Sequence, residues 1–347
     1  MLKALLFLYL FMALLGCVAS SGSKVTADEQ GASTAQDSEE EEEDLTIRGL
    51  LDGVRSLVSK DGEKGNGANF SFPSAIVIDA DETYAYATDT QLPAIIRIEL
   101  SSGDRSIISQ EGVIGNGAEL TLPADLQFNV DQSQLYVVDA LEQAVITINL
   151  STGDRSVLSV NGDSLGDDFS TPIGIAVDDL GEFAYVADSD AQAIFKINLS
   201  NGQREILSQN FNVGDGEPFV TPRRIALNSD DSKAYVVDNG DAIFSVNLAN
   251  GNRSVVSENN ETGFGDDFEF AHSITLNSED TLAYVTDRDQ SALFEVNLFT
   301  GERYIVTKTD TIGEGYDLGD AGGLYITPND RKVYVLDEVG LSIVLVE

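Results

Sequence analysis

The chain of 347 residues has no tryptophan, one cysteine and one histidine, and it sets only 20 lysines and arginines against 59 aspartates and glutamates. Each shortage removes a class of function. A single cysteine, Cys17, excludes an intrachain disulfide. With His272 as the one histidine, the usual zinc site of several His or Cys ligands cannot be assembled. A net charge of −39 repels a phosphate backbone, which excludes nucleic acid as a partner. The same acidity favours solubility, draws cations and repels anionic membrane surfaces. No Gly-x-Ser-x-Gly elbow and no phosphate-binding glycine loop occurs. The run Ala4–Leu15 is almost wholly apolar, but its 12 residues fall short of the ~20 that a spanning helix needs.

What the sequence does hold is a repeat. Gly-x-Arg followed by apolar residues recurs with its glycine at 53, 103, 153, 202, 251 and 301, in steps of 49 or 50 residues. A fixed period of this length means a repeat architecture, in which each unit buries its faces on its neighbours. The unit is clearest between Thr171 and Ser208. It begins Pro172-Ile173-Gly174-Ile175 (segment a) and continues Ala184-Tyr185-Val186-Ala187-Asp188 (segment b). Then follow Ala193-Ile194-Phe195-Lys196-Ile197-Asn198-Leu199 (segment c) and Gly202-Gln203-Arg204-Glu205-Ile206-Leu207-Ser208 (segment d).

Four short apolar segments parted by turn residues read as four strands. Segment c alternates, with Phe195, Ile197 and Leu199 on one face and Lys196 and Asn198 on the other, the period of a half-exposed strand. Segment b has no polar face, as in Ala234, Tyr235, Val236 and Val237, so it should be covered on both sides. Six such units predict an all-β, six-bladed β-propeller of four-stranded antiparallel blades over residues 47–347. The two ends complement each other. The last unit stops after its c strand, whereas Gly53–Ser59 is a d strand with nothing before it. The N-terminal strand should therefore complete the last blade and remove two sheet edges.

The pattern Pro-x-x-Ile, Tyr-Val-x-Asp, Ile-x-x-Ile-Asn-Leu resembles the NHL, YVTN and TolB-like propellers, and more distantly the gluconolactonase/regucalcin superfamily. The likeness carries fold further than function, because one propeller scaffold hosts many activities. In gluconolactonase-like relatives a channel metal is held by Asn and acidic residues just after the repeat proline. Here those positions are Ser74, Ala124, Ile173, Arg223, His272 and Gly322, which departs from that pattern. Ala271-His272-Ser273 echoes the His-Gly pair of streptogramin lyases at one position only.

The first 16 residues read as a signal peptide with one basic residue, an apolar middle and small residues at its end. Leu14-Leu15-Gly16-Cys17 resembles the bacterial lipobox, which implies lipidation at Cys17. The resemblance, with Val18 rather than Asp next, implies an outer-membrane lipoprotein facing the periplasm or the cell surface. Residues 17–46 are small, polar and acidic with no apolar period, and predict a disordered tether.

Six residue pairs following the repeat proline differ from blade to blade: Ser74/Ala75, Ala124/Asp125, Ile173/Gly174, Arg223/Arg224, His272/Ser273 and Gly322/Gly323. They predict a site at the channel mouth where strand a begins. Arg223, Arg224 and His272 would hold a small anionic or polar ligand there, with Asp125 across the pore. The bland alternative is that these basic groups neutralise nearby carboxylates. As an enzyme, a hydrolase or lyase, the chain would use His272 as acid/base and Arg223 as anion holder. The aspartates ending each b strand (Asp89, Asp139, Asp188, Asp238, Asp287 and Asp337) recur once per blade and read as turn caps. The six d-strand arginines read as ion-pair partners. Asp167/Asp168 and Asp266/Asp267 are weak calcium candidates without EF-hand spacing. No other cofactor is implied. The composition and repeats favour a monomeric domain that binds an envelope protein or a small ligand. An envelope scaffold is the remaining reading.

Overall fold

In a computed structural model, residues 49–238 and 241–347 are described. Cys17, the predicted leader 1–16 and the tether 17–46 lie outside the described residues. The described chain forms six antiparallel sheets of four long strands each. Blade 1 comprises Pro73–Ile78, Tyr84–Asp89, Ala94–Glu99 and Arg105–Gln110 as strands a to d. Blades 2 to 5 repeat it, with a strands Pro123–Phe128, Pro172–Val177, Pro222–Leu227 and Ala271–Leu276. Blade 6 uses Ala321–Ile326, Val333–Asp337 and Ser342–Val346, and borrows Val54–Lys60 as its d strand. Arg55 pairs with Val346 and Lys60 with Ser342, antiparallel, so the first strand closes the last sheet. The a strands touch in sequence around a full circle, including blade 6 against blade 1. The fold is a six-bladed β-propeller.

Burial explains why the segments take these places. In blade 3, Ala184, Val186 and Ala187 of strand b are fully buried, as are Phe195 and Ile197 of strand c. Val138 and Val145 of blade 2 pack against Phe169, Ile175, Val186 and Phe195 of blade 3, so the core lies between sheets. Truncating a buried ring such as Phe195 costs about 3–5 kcal/mol in a core of this kind.

The d-strand arginines turn out to be latches between blades. Arg105 Nη1 donates to Ser59 Oγ of blade 6 at 2.6 Å, and Ser59 Oγ donates to the Gly103 carbonyl at 2.7 Å. Arg155–Ser109, Arg204–Ser159, Arg253–Ser208 and Arg303–Ser257 repeat the unit. Arg55 closes the circle on Thr307 Oγ1. Ion pairs supplement the latch: Arg105 lies 3.1 Å from Asp61 and Arg155 2.7 Å from Glu111. The b-strand aspartates cap turns. Asp89 accepts from the backbone N–H groups of Ser71, Phe72 and Leu92 at 2.6–3.0 Å. Asp188 does the same for Ser170, Thr171 and Ala191.

Candidate functional site

Every a strand carries a bulge just after its first residue. A bulge breaks the alternation of side chains and re-aims them. In blade 4 it falls between Pro222 and Ile225, and it sends Arg223 and Arg224 into different surroundings. Arg224 crosses the channel. Its guanidinium donates to the Ile173 carbonyl, to the Ala124 carbonyl at 3.1 Å and to Ser74 Oγ at 2.9 Å, which lie in blades 3, 2 and 1. Asp125 lies 3.7 Å away and accepts from the N–H groups of Ile175 and Leu126, both at 2.9 Å. Burial pushes the Asp125 carboxyl up, while Arg224 and those two N–H groups pull it back.

Glycines elsewhere in the ring let the backbones of neighbouring a strands approach closely. A Cβ on Gly174 would stand 2.1 Å from the Arg223 carbonyl, and one on Gly323 would stand 2.8 Å from Ala75 Cα.

Arg223 and His272 join a second group. Arg223 lies over the Phe270 ring at 4.8 Å and Arg288 over the same ring at 5.7 Å. Arg288 pairs with Glu338 at 2.9 Å and with the half-exposed Asp320 at 3.5 Å. His272 Nε2 is 3.8 Å from Glu338 Oε1. Arg223, Arg224, His272, Arg288 and Glu338 are each at most 5% exposed. Burial and the cations Arg288, Arg224 and Arg223 hold the imidazole well below its ordinary pKa, so His272 is neutral. Burial pushes Glu338 up to about 7 against the pull of Arg288 and Arg224. Burial, with Arg288 and Arg224, brings Arg223 down to about 10, which leaves it cationic.

The expected open mouth at the start of strand a is therefore corrected. Those residues meet as a packed seal, because alternating Arg and carboxylate side chains neutralise and fill the space between the bulges. The open space lies on the other side of Arg224. A cavity of about 300 Å³ is lined by the later residues of the a strands and by the turns from a to b. Its lining includes Arg224, Asp125, Tyr325, Asp179, Asp231 and Asp280. Of the four residues predicted to share a site, Asp125 and Arg224 line this cavity, whereas Arg223 and His272 do not.

Glu338, Arg288 and Phe270 were not singled out from the sequence. A signal for two of them exists. The residue after the b-strand aspartate is Thr90, Ala140, Ser189 and Asn239 in four blades, but Arg288 and Glu338 in the last two.

The calcium candidates are drawn elsewhere. Asp168 faces Arg204 at 3.8 Å and Asp267 faces Arg303 at 3.4 Å. The carbonyls of Asp167 and Asp266 accept from the Nε groups of the same two arginines. Among the described residues no three His, Cys, Asp or Glu side chains converge as a metal site.

No protein-family profile matches the chain, and no curated protein matches it in sequence. Solved structures do match. An auxiliary nutrient binding protein from Bacteroides thetaiotaomicron VPI-5482 superposes with a TM-score of 0.63 at 10% identity, over 86% of this chain and 75% of that one. Another, from Bacteroides ovatus ATCC 8483, gives 0.62 at 12% identity, over 86% and 77%. A structural genomics protein of unknown function from B. thetaiotaomicron gives 0.65 at 14%, over 84% and 75%. This chain shares their fold. At such identities the likeness reaches no further than the path of the backbone.

Proposed function

We propose that the chain is a binding module of the bacterial cell envelope, anchored through Cys17, that takes a small ligand into its channel from the a–b turn face. One observation carries this reading: a cavity of about 300 Å³ floored by the buried Arg224 and the partly buried Asp125 and open among the a–b turns. That volume lies at the lower end of small-molecule sites. The name borne by two of the structural neighbours, auxiliary nutrient binding protein, agrees with a binding role. A catalytic role is the weaker reading, because His272 is buried, neutral and away from the cavity.

The test is a thermal-shift screen of metabolites on the wild type and on Gln127→Trp, which fills the cavity from its wall. A ligand at 100 times its Kd stabilises by about 2.7 kcal/mol. True channel ligands should raise the Tm of the wild type and not of Gln127→Trp. Ligands that shift both equally would refute the channel site. Loss of lipid labelling in Cys17→Ala tests the anchor.

A protein partner is favoured by a separate observation. Phe211, Phe264 and Phe299 are 96%, 81% and 94% exposed. Envelope pull-downs with Phe264→Ser/Phe299→Ser should lose a partner that the wild type retains.

A further inference from the structure

An asparagine followed by glycine is prone to deamidation, because glycine has no side chain to shield the backbone nitrogen that attacks the carboxamide. The chain holds six such pairs, beginning at Asn66, Asn116, Asn161, Asn201, Asn239 and Asn250. Asn239-Gly240 lies outside the described residues, and the fold treats the other five differently.

Three are locked. Gly202 and Gly251 are buried, and their N–H groups donate at 2.8 Å to the Asn198 and Asn247 carbonyls. The Asn161 carboxamide is held by the N–H and carbonyl of Phe169 at 2.7 and 2.8 Å, and the Gly162 N–H donates to Asp168 at 3.3 Å. Asn66 and Asn116 are exposed, as are Gly67 and Gly117. Each sits in a loop that lies along the next d strand. The Asn66 carbonyl accepts from the Arg105 N–H at 2.7 Å, and the Ala68 N–H donates to the Arg105 carbonyl at 3.2 Å, so the bonds of this bridge pass over the Gly67 N–H. Asn116, Ala118 and Arg155 repeat the bridge and pass over Gly117. The two carboxamides donate only at the surface, Asn66 to Asp104 at 3.1 Å and Asn116 to Asp154 at 3.3 Å.

The opposite residue shows what a new carboxylate would meet. At the six blade boundaries the loop residue and the residue before the d-strand arginine are Asn66/Asp104, Asn116/Asp154, Leu165/Gln203, Asp215/Asn252, Phe264/Glu302 and Glu314/Val54. No pair sets two carboxylates together, in a chain with 59 aspartates and glutamates. Where the loop carries Asp215 the opposite residue is an amide, and the Asp215 N–H donates to Asn252 Oδ1 at 2.9 Å. The Asn116 N–H, the Thr152 hydroxyl and the Asn116 carboxamide hold the Asp154 carboxyl below its ordinary range. Hydrolysing that carboxamide replaces a donor with a like charge.

We propose that Asn66 and Asn116 are modification sites, where the folded chain deamidates and loosens the seams between blades 6 and 1 and between blades 1 and 2. The Gly67 nitrogen loses its proton to solvent base and attacks Asn66 Cγ. The Cγ–Nδ2 bond breaks, ammonia leaves, and water opens the succinimide to aspartate or isoaspartate. In isoaspartate the main chain runs through the former side chain, and the carbonyl that accepted from the Arg105 N–H becomes a free carboxylate. The loop has no slack for this: a Cβ on Gly65 would stand 1.8 Å from the Gly103 carbonyl, beside the Arg105–Ser59 latch.

Peptide mapping by mass spectrometry tests it on the full chain, kept folded for weeks at mildly basic pH. Asn66 and Asn116 should convert at least ~5-fold faster than Asn161, Asn201 and Asn250, the factor for one hydrogen bond that must break first. In urea the five rates should draw together. Equal rates in the folded chain, or the same gap in urea, would overturn the assignment. Asn66→Asp/Asn116→Asp mimics one product and should lower the Tm by roughly 2–4 °C. Adding Asp104→Asn/Asp154→Asn recreates the Asp215–Asn252 arrangement and should restore it. If the mimic and the aged protein both melt like the fresh wild type, the loosening is refuted.

Discussion

Replacing Arg224 by methionine removes a side chain that ties blade 4 to blades 1, 2 and 3 through the middle of the ring. The structure sets the size of the loss. Asp125 loses its cation while its side chain stays only 13% exposed, and the Ile173 and Ala124 carbonyls and Ser74 Oγ each lose a donor. Breaking a buried ion pair on one side costs about 3–5 kcal/mol, because the abandoned charge stays desolvated. Asp125→Asn in the same chain removes that charge but keeps an acceptor for only one of the two N–H groups, because Oδ2 accepts from Ile175 and Oδ1 from Leu126. The double variant should therefore recover only about 1 kcal/mol, leaving the cost of the unfilled acceptors and of one N–H group without its oxygen. Urea titration read by circular dichroism gives the midpoints, and the Tm should fall by roughly 8–15 °C in the single variant.

The pH dependence supplies a second check on the same variant. Burial raises the Asp125 carboxyl and Arg224 lowers it, so in Arg224→Met the folded-state pKa rises further above its unfolded value of 3.8. The deficit is then complete above that folded pKa and is relieved as the pH falls through it toward the unfolded value. A single-variant loss under ~1 kcal/mol, or a double variant that is additively worse, would refute the account of Arg224 as a charge-neutralising plug.

Glu338 titrates at about 7 against an ordinary 4.5, so the folded state binds the extra proton between these values. Stability should fall by on the order of 3 kcal/mol as the pH rises across that window, and Glu338→Gln should flatten the slope in pH-dependent melts. Arg303→Met should destabilise by about 2–4 kcal/mol in urea, since Ser257 Oγ and the carbonyls of Thr262 and Asp266 lose their donor in a buried site. A chain beginning at Arg48 should melt like the full chain, whereas one beginning at Asp61 should aggregate on size-exclusion chromatography. Only the second exposes the edge of Ser342–Val346.

The ring was legible because its causes are local and repeated. Period-two alternation in Phe195, Ile197 and Leu199, the two-sided apolar b segment and the glycine turns each state a strand and its burial six times over. The surplus strand at Gly53–Ser59 and the missing one after Val346 stated the closure, since an unpaired edge on a folded sheet is costly wherever it occurs. The aspartate caps were legible for the same reason. The latch role of the arginines was only half legible: their repetition was visible, but not that Ser59 and its counterparts one blade away would be their partners.

The channel depended on what six different strands bring to one point. Sequence comparison of the a-strand starts found Asp125, Arg223, Arg224 and His272 as the unusual residues of the inner ring. It could not foresee that a bulge in each strand would turn Arg224 across the pore, or that Glu338 and Arg288 would arrive from neighbouring b–c turns to bury His272. Propensity and pattern act along the chain and are written in it. Whether charges separated by 50 or 100 residues neutralise one another or wait for a ligand is settled by the distances at which the closed ring holds them.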